Sequence, residues 1–276
     1  GAQLQPTRDP VAVPGRPVNL PPSELESRMN GRVLPENFTV VDDPAAQWNG
    51  RPLFGNCEVD FEGVAPQKMT LVEGGTLKGL LYTRQPVRGH EGSTGRGRMP
   101  GLFGAAAGIP TNLLVQCTDG VALPELKKKL IELVQQRRKA YGILVRRMDY
   151  PSGASVAELR RIANAMQGSG SSRPLSSPLE VYRVYPDGRE ELIRGVRFRG
   201  VNVRALRDIL AVGNDAAPVE FLMNTAPLAL MGAGGYVVGC SVVCPSLLFD
   251  ELDMDRPQEE RPRPPVVEPP PLESGS

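Results

Sequence analysis

Few residues in this chain can do chemistry. His90 is the only histidine among 276 residues. His90-Glu91 could open a zinc-peptidase helix, but HExxH and HExxxH both need a second imidazole one turn on, so that two nitrogens grip one ion. The residues around His90 are glycine-rich rather than helix-forming. A hydrolytic zinc site of that kind cannot be built from these residues alone, and His90 reads as an exposed loop residue. No Ser/His/Asp triad can be argued for the same shortage. The cysteines are Cys57, Cys117, Cys240 and Cys244. On a strand Cys240 and Cys244 would face one side about 13 Å apart, too far to bridge. All four are expected as reduced, buried small hydrophobes.

Gly92-Ser93-Thr94-Gly95-Arg96-Gly97-Arg98 invites a phosphate-loop reading, because bare glycine amides cradle anions. The spacing GxxxxGK[ST] is absent. Arg84, Arg88, Arg96 and Arg98 suit phosphates, but no aromatic residues are interleaved to stack on bases, so nucleic acid is not expected here. Residues 84–110 read instead as a long loop. It is either a mobile loop closing over a peptide, with Ser93, Thr94, Gly95, Arg96 and Arg98 as contacts, or a plain solvated one. Gly232-Ala233-Gly234-Gly235 fails the dinucleotide pattern at Val237. Asp42, Asp43, Asp60 and Glu62 form a local acidic set in which Asp42-Asp43-Pro44 reads as turn chemistry before acid/base chemistry.

The elements that must position these residues are mostly strands. Residues 38–42 are a β-branched run, 57–61 alternate apolar and acidic, and 69–73 and 76–83 flank a two-glycine hairpin turn. Residues 113–117 and 142–149 read as strands. The best helix covers 123–141, with Pro124 in its first turn and Leu126, Leu130, Leu133 and Val134 on one face, stopped by Gly142. Ser155-Val156-Ala157-Glu158 opens a second helix as a capping box. Residues 179–185 and 190–199 pair across Pro186-Asp187-Gly188. Residues 203–212 read as a short helix ended by Gly213, and 217–223, 227–231 and 236–243 as strands. The expected fold is therefore α+β, mostly antiparallel or mixed β-sheets with two or three helices.

Thirty glycines and 28 prolines make the chain turn-rich. The net charge of +1 gives no electrostatic case for binding nucleic acid or membrane. Residues 250–276 hold eight acids against three arginines, and seven prolines, so they read as a disordered or extended tail. The expected organisation is an extended arm over residues 1–32, one domain over 33–250 and the tail over 251–276. Residues 221–249 carry no charge, but their glycines, prolines and polar residues fit buried strands better than a membrane span. The first residues have neither a basic nor an apolar leader segment, which points to the cytoplasm. Gly1 in place of an initiator methionine points to a processed product or a fragment.

Thr39-Val40-Val41-Asp42-Asp43-Pro44, Asp60-Phe61-Glu62-Gly63, Leu71-Val72-Glu73-Gly74-Gly75-Thr76-Leu77-Lys78-Gly79 and Ser93-Thr94-Gly95 resemble, in order and spacing, the C-terminal half of TldD/PmbA proteins. Thr111-Asn112, Tyr185-Pro186-Asp187-Gly188 and Ala226-Pro227-Leu228 fit as well. The similarity spans about residues 33–250. It implies a family of zinc metallopeptidases and inactivated relatives, also named modulators of DNA gyrase, that cut unfolded peptides as dimers of an active and a metal-free subunit. In that family zinc sits on the two histidines of HExxxH and a C-terminal cysteine, and peptide adds as a strand to a sheet edge. Residues 1–38 hold no histidine, and the cysteine position falls near Gly232–Tyr236, several residues before Cys240, which the resemblance leaves as the only weak metal candidate. The resemblance thus implies a domain without its own zinc or other cofactor, serving as a peptide-binding module or a partner in a homo- or heterodimer. One alternative is the C-terminal part of an active enzyme whose histidines lie on another segment. Another is a nucleic-acid-associated factor.

Overall fold

In a computed structural model of the protein, the structure describes residues 4, 11–13, 16–18, 23–84, 87, 89–100, 106–149, 175–223 and 238–256. The expected second helix from Ser155, the strand over 227–231, the glycine run at 232–235 and the tail beyond 256 lie outside the described residues.

A six-stranded sheet organises the rest. Its spatial order is Ala217–Met223, Val238–Cys244, Asn112–Cys117, Phe38–Asp42, Met69–Glu73, Thr76–Leu77. Every neighbouring pair is antiparallel except Asn112–Cys117 with Val238–Cys244, which run parallel. Side chains alternate across a strand, so Phe38, Val40 and Asp42 share one face. Phe38 and Val40 pack there with Val72, Leu77 and Leu80, and Leu25, Val33, Leu34, Ile209 and Val212 close the core over them. Near Val243 the other face is covered by Ala46 and Leu53. Residues 30–34 cap the short Thr76–Leu77 edge through Asn30 N–H to Leu77 O, Leu77 N–H to Gly31 O and Val33 N–H to Gly75 O. Among the described residues, Ala217–Met223 is paired on one side only.

A smaller antiparallel sheet, Gly142–Met148, Pro178–Val184 and Glu190–Ile193, stands beside the helix Leu123–Gln136. Its surface carries arginines over tyrosine rings: Arg146 over Tyr182 at 4.4 Å, Arg183 over Tyr141 at 4.7 Å and Arg189 over Tyr185 at 4.2 Å. Such contacts are worth about 0.5–1 kcal/mol where exposed. No helix among the described residues is long and apolar enough to cross a membrane.

The mostly-β architecture with mixed sheets is as expected, and several local expectations are corrected. The helix stops at Gln136, not Tyr141, because Arg138 takes a left-handed φ of 52° and the amides of Arg138 and Lys139 turn back onto Gln135 O and Val134 O. Residues 203–212 are not one helix. A 3-10 turn, Val203–Asp208, passes into the strand Ile209–Val212, which pairs with Leu247–Phe249 and buries Ile209 and Val212. The second strand of the two-glycine hairpin ends at Leu77. Residues 57–61 form no strand. Within residues 84–110, Gly97–Pro100 pairs with Ala106–Gly108.

Gly75 is the tightest point of the hairpin. Its φ is +73°, and a Cβ there would lie 2.4 Å from Leu34 O and 2.6 Å from Pro35 O. Gly50, with a φ of +76°, has nothing within 4 Å of its Cβ position. Gly75→Ala is expected to lose about 3 kcal/mol of stability in urea unfolding, and Gly50→Ala about 1 kcal/mol. Equal losses would show that the backbone contact at Gly75 relaxes freely.

Candidate functional site

Four of the resemblance motifs, those holding Asp42, Asp60, Thr94 and Thr111, meet at one end of the large sheet around the 94–98 segment. Asp42, the last residue of its strand, is fully buried. Its Oδ2 accepts from Arg96 Nε at 2.8 Å, and its Oδ1 accepts from the Thr111 N–H at 2.8 Å and the Thr111 hydroxyl at 2.9 Å. Arg96 is only 1% exposed. Its Nη2 donates to Gln67 O at 2.6 Å and to Asp42 O at 3.3 Å, and its Nη1 donates to Thr94 O. Thr94 in turn accepts from the Tyr82 N–H and donates to Tyr82 O. Burial is the largest influence on the Asp42 carboxyl and pushes its pKa up, against Arg96 and Thr111, which pull it down.

Asp60 reaches the same segment from the other side. Its Oδ2 accepts from the Gly97 N–H at 2.8 Å, and its Oδ1 from the amides of Glu62 and Val64, both at 2.9 Å. Asp43 Oδ1 caps the turn at Ala45, as the Asp-Pro pattern implied. Asn112 Nδ2 donates to Asp43 O at 2.7 Å.

Of the five residues singled out as peptide contacts, the arrangement commits Arg96 inward, to Asp42. Arg98 is also buried. Its Nη1 donates to Pro110 O at 2.9 Å and its Nη2 to Gly239 O at 2.8 Å. Thr94 and Gly95 hold the turn, and the Ser93 hydroxyl accepts from the Gly95 N–H at 3.1 Å. His90 stacks at a tilt on Tyr82, ring centroids 5.1 Å apart.

Cys240 is buried beside Arg98. Its thiol donates to Pro110 O at 3.3 Å, and Arg98 Nη1 lies 3.9 Å from the sulfur. Burial pushes its pKa up to about 11, against the pull of Arg98. A zinc ligand must be a thiolate with ligating neighbours. This sulfur is buried with a carbonyl and a cation as its neighbours, and among the described residues no three His, Cys, Asp or Glu side chains gather to hold an ion. These residues do not fit zinc. From sequence Asp60 reads only as part of a local acidic set and of the Asp60-Phe61-Glu62-Gly63 motif, with no site role; its hold on the Gly97 amide depends on a contact 37 residues away.

Removing one partner of a buried ion pair strands the other charge. Asp42→Asn and Arg96→Met should each cost about 3–5 kcal/mol, with the double variant well short of their sum. Additive losses in urea titrations would mean the pair is not coupled. Cys240 should resist iodoacetamide at pH 8 in the folded protein and react on unfolding; prompt native labelling would contradict its burial.

Residues 12–256 match the family described as PmbA/TldA metallopeptidase C-terminal domain. A protein of Archaeoglobus fulgidus named a metalloprotease is 32% identical over 110 residues, covering 36% of this chain and 25% of its own. A Methanocaldococcus jannaschii protein is 31% identical over 97 residues, covering 35% and 22%. TldE from Thermococcus kodakarensis shares the fold with a TM-score of 0.52 at 17% identity, over 84% of this chain and 42% of its own. A Thermotoga maritima protein described as a modulator of DNA gyrase gives 0.51 at 18% identity, again over 84% and 42%. The match thus spans about a quarter of the curated relatives and under half of the solved ones. With a continuous family match over nearly its whole length, the chain belongs to the TldD/PmbA family as that family's C-terminal domain.

Proposed function

We propose that this domain is a non-catalytic, peptide-binding or dimer-partner module of the TldD/PmbA type, acting in the cytoplasm in proteolysis of unfolded peptides. The observation that carries it is the Ala217–Met223 edge, paired on one side only among the described residues while the opposite edge is capped. An extended peptide adds to such an edge through main-chain hydrogen bonds, with side chains reading alternate positions. Leu222, 39% exposed on that strand, supplies apolar contact. The single histidine, and a Cys240 buried against Arg98, argue against hydrolysis by these residues alone.

A second reading is favoured by the share of the solved relatives that the match spans, 42%. There, histidines on another segment complete a zinc site and the domain serves an active metallopeptidase. A third, nucleic-acid association, draws on the description of the Thermotoga relative and on the arginine–tyrosine pairs of the small sheet.

An unstructured peptide should bind the chain, and N-methylation at two alternate backbone positions should weaken binding at least tenfold, each main-chain hydrogen bond contributing about 1 kcal/mol. Unchanged affinity would count against strand addition. Metal analysis of the same sample should find zinc well below one per chain and no cleavage; stoichiometric zinc with cleavage would overturn the non-catalytic reading. Filter binding to DNA at two salt concentrations separates the third reading, for which phosphate contacts give a steep salt slope.

A further inference from the structure

Only every second residue of the strand Ala217–Met223 turns its main chain toward the open edge, and the hydrogen bonds of its neighbour show which. In an antiparallel pair, opposed residues alternate between those that exchange N–H···O bonds and those whose N–H and C=O turn away from each other. Glu220 stands opposite Ser241. The Ser241 N–H goes to Thr111 O at 3.2 Å, on the far side of its strand from Glu220. The two residues therefore exchange no bonds, and the Glu220 N–H and C=O face outward. Leu222 stands opposite Gly239, whose carbonyl is taken by Arg98, so by the same alternation Leu222 faces outward too. Pro218 agrees. It has no N–H to give a partner, and edge strands tolerate proline where that position points to solvent. Among the described residues the edge thus offers the C=O of Pro218 and both main-chain groups of Glu220 and Leu222.

The side chains of Glu220 and Leu222 share one face of the sheet, since they lie two residues apart. Phe54 lies over that face. Its N–H donates to Glu220 Oε1 at 2.8 Å, and its ring covers Gly239, where a Cβ would lie 3.1 Å from ring Cδ1. Leu222, 39% exposed, is thus flanked on its inner side by Gly239 and the ring above it, and on its outer side by the open edge. Glu220 is exposed, and among the described residues its Oε2 has no partner. Two successive outward positions therefore present an apolar side chain and a carboxylate steadied by a backbone amide.

We propose that a peptide adds antiparallel to this edge with its main chain bonded to Glu220 and Leu222, and that the edge selects, from N to C, an apolar residue, any residue, then lysine or arginine. The apolar side chain lies opposite Leu222 and the basic one opposite Glu220, with Cβ atoms about 5 Å apart. The middle residue sends its side chain to the other face and its N–H to solvent. This rests on the strand-addition reading and deepens it, by assigning the register and the side chains preferred. Cross-strand pairs of this kind shift affinity by about threefold each, and the charged one weakens as salt screens it.

The test uses fluorescence anisotropy on the full chain with labelled unstructured peptides centred on leucine–threonine–lysine. At low salt this peptide should bind about threefold tighter than leucine–threonine–glutamate, and high salt should close the gap. The reversed order, lysine–threonine–leucine, should bind more weakly. N-methylation of the leucine or the lysine should cost about fivefold, and of the threonine very little. Glu220→Gln keeps an acceptor for the Phe54 N–H; it should remove the preference for lysine over glutamate and leave the N-methylation pattern unchanged. If that variant does not fold, the N-methylation pattern on the unmutated chain still decides. Loss centred on the threonine, or equal binding of the lysine and glutamate peptides at low salt, overturns the register and leaves strand addition standing. A lysine preference that survives Glu220→Gln overturns the assignment of Glu220. Failure of every peptide to bind overturns both readings.

Discussion

A carboxylate and a guanidinium share a dry space between Asp42 and Arg96, and the site end of the large sheet is arranged around them. Taking either ion out of water costs several kcal/mol, and their attraction offsets this only when the remaining lone pairs and N–H groups are also used. Here they are used. Thr111 gives two hydrogen bonds to one carboxylate oxygen, and the guanidinium meets the carbonyls of Asp42, Gln67 and Thr94. Each of those partners sits on a different segment. The pair therefore fixes where the 94–98 segment crosses the sheet and where the Asn112–Cys117 strand starts.

That placement propagates. With Arg96 held, the Gly97 amide meets Asp60, the Arg96 carbonyl accepts from the Ile109 N–H, and Arg98 falls against Gly239. Arg98 thereby occupies the space beside Val238–Cys244 just beyond the first residue of its parallel neighbour, where the Ser241 N–H reaches Thr111 O. The parallel pairing of Asn112–Cys117 with Val238–Cys244 spans a long crossover that carries the helix and the small sheet. Such non-local pairing has little local support. Side chains reaching across the strand ends supply some of what hairpin turns supply elsewhere.

The parts legible in the sequence are those whose cause is local. Gly74-Gly75 and Pro186-Asp187-Gly188 announce their turns because those residues set φ by themselves. The amphipathic spacing of Leu126, Leu130, Leu133 and Val134 announces the helix, though not its end, since Arg138 gives no sign that it will take a left-handed φ. Ile209 and Val212 look helical by spacing. Their pairing with Leu247–Phe249, nearly forty residues on, decides otherwise. The order and spacing of the motifs identified the family, but not that Thr94, Asp42 and Thr111 meet through Arg96 in one hydrogen-bond network. The glycine–arginine run is the sharpest case. By composition it is solvated, and its two central arginines are buried because their partners lie 54 and 141 residues away.

The two central arginines meet the cost of burial differently. A chain that needed two cations only for packing could give each a carboxylate or replace both by apolar residues of similar volume, often without loss of stability. Arg96 follows the first course. Arg98 follows neither: among the described residues it meets the carbonyls of Pro110 and Gly239 and the Cys240 sulfur, with no ion pair. Neutral carbonyls satisfy hydrogen-bonding groups but not net charge. The fold thus neutralises one arginine with a carboxylate and holds its neighbour, among the described residues, on carbonyls at the inner side of Val238–Cys244.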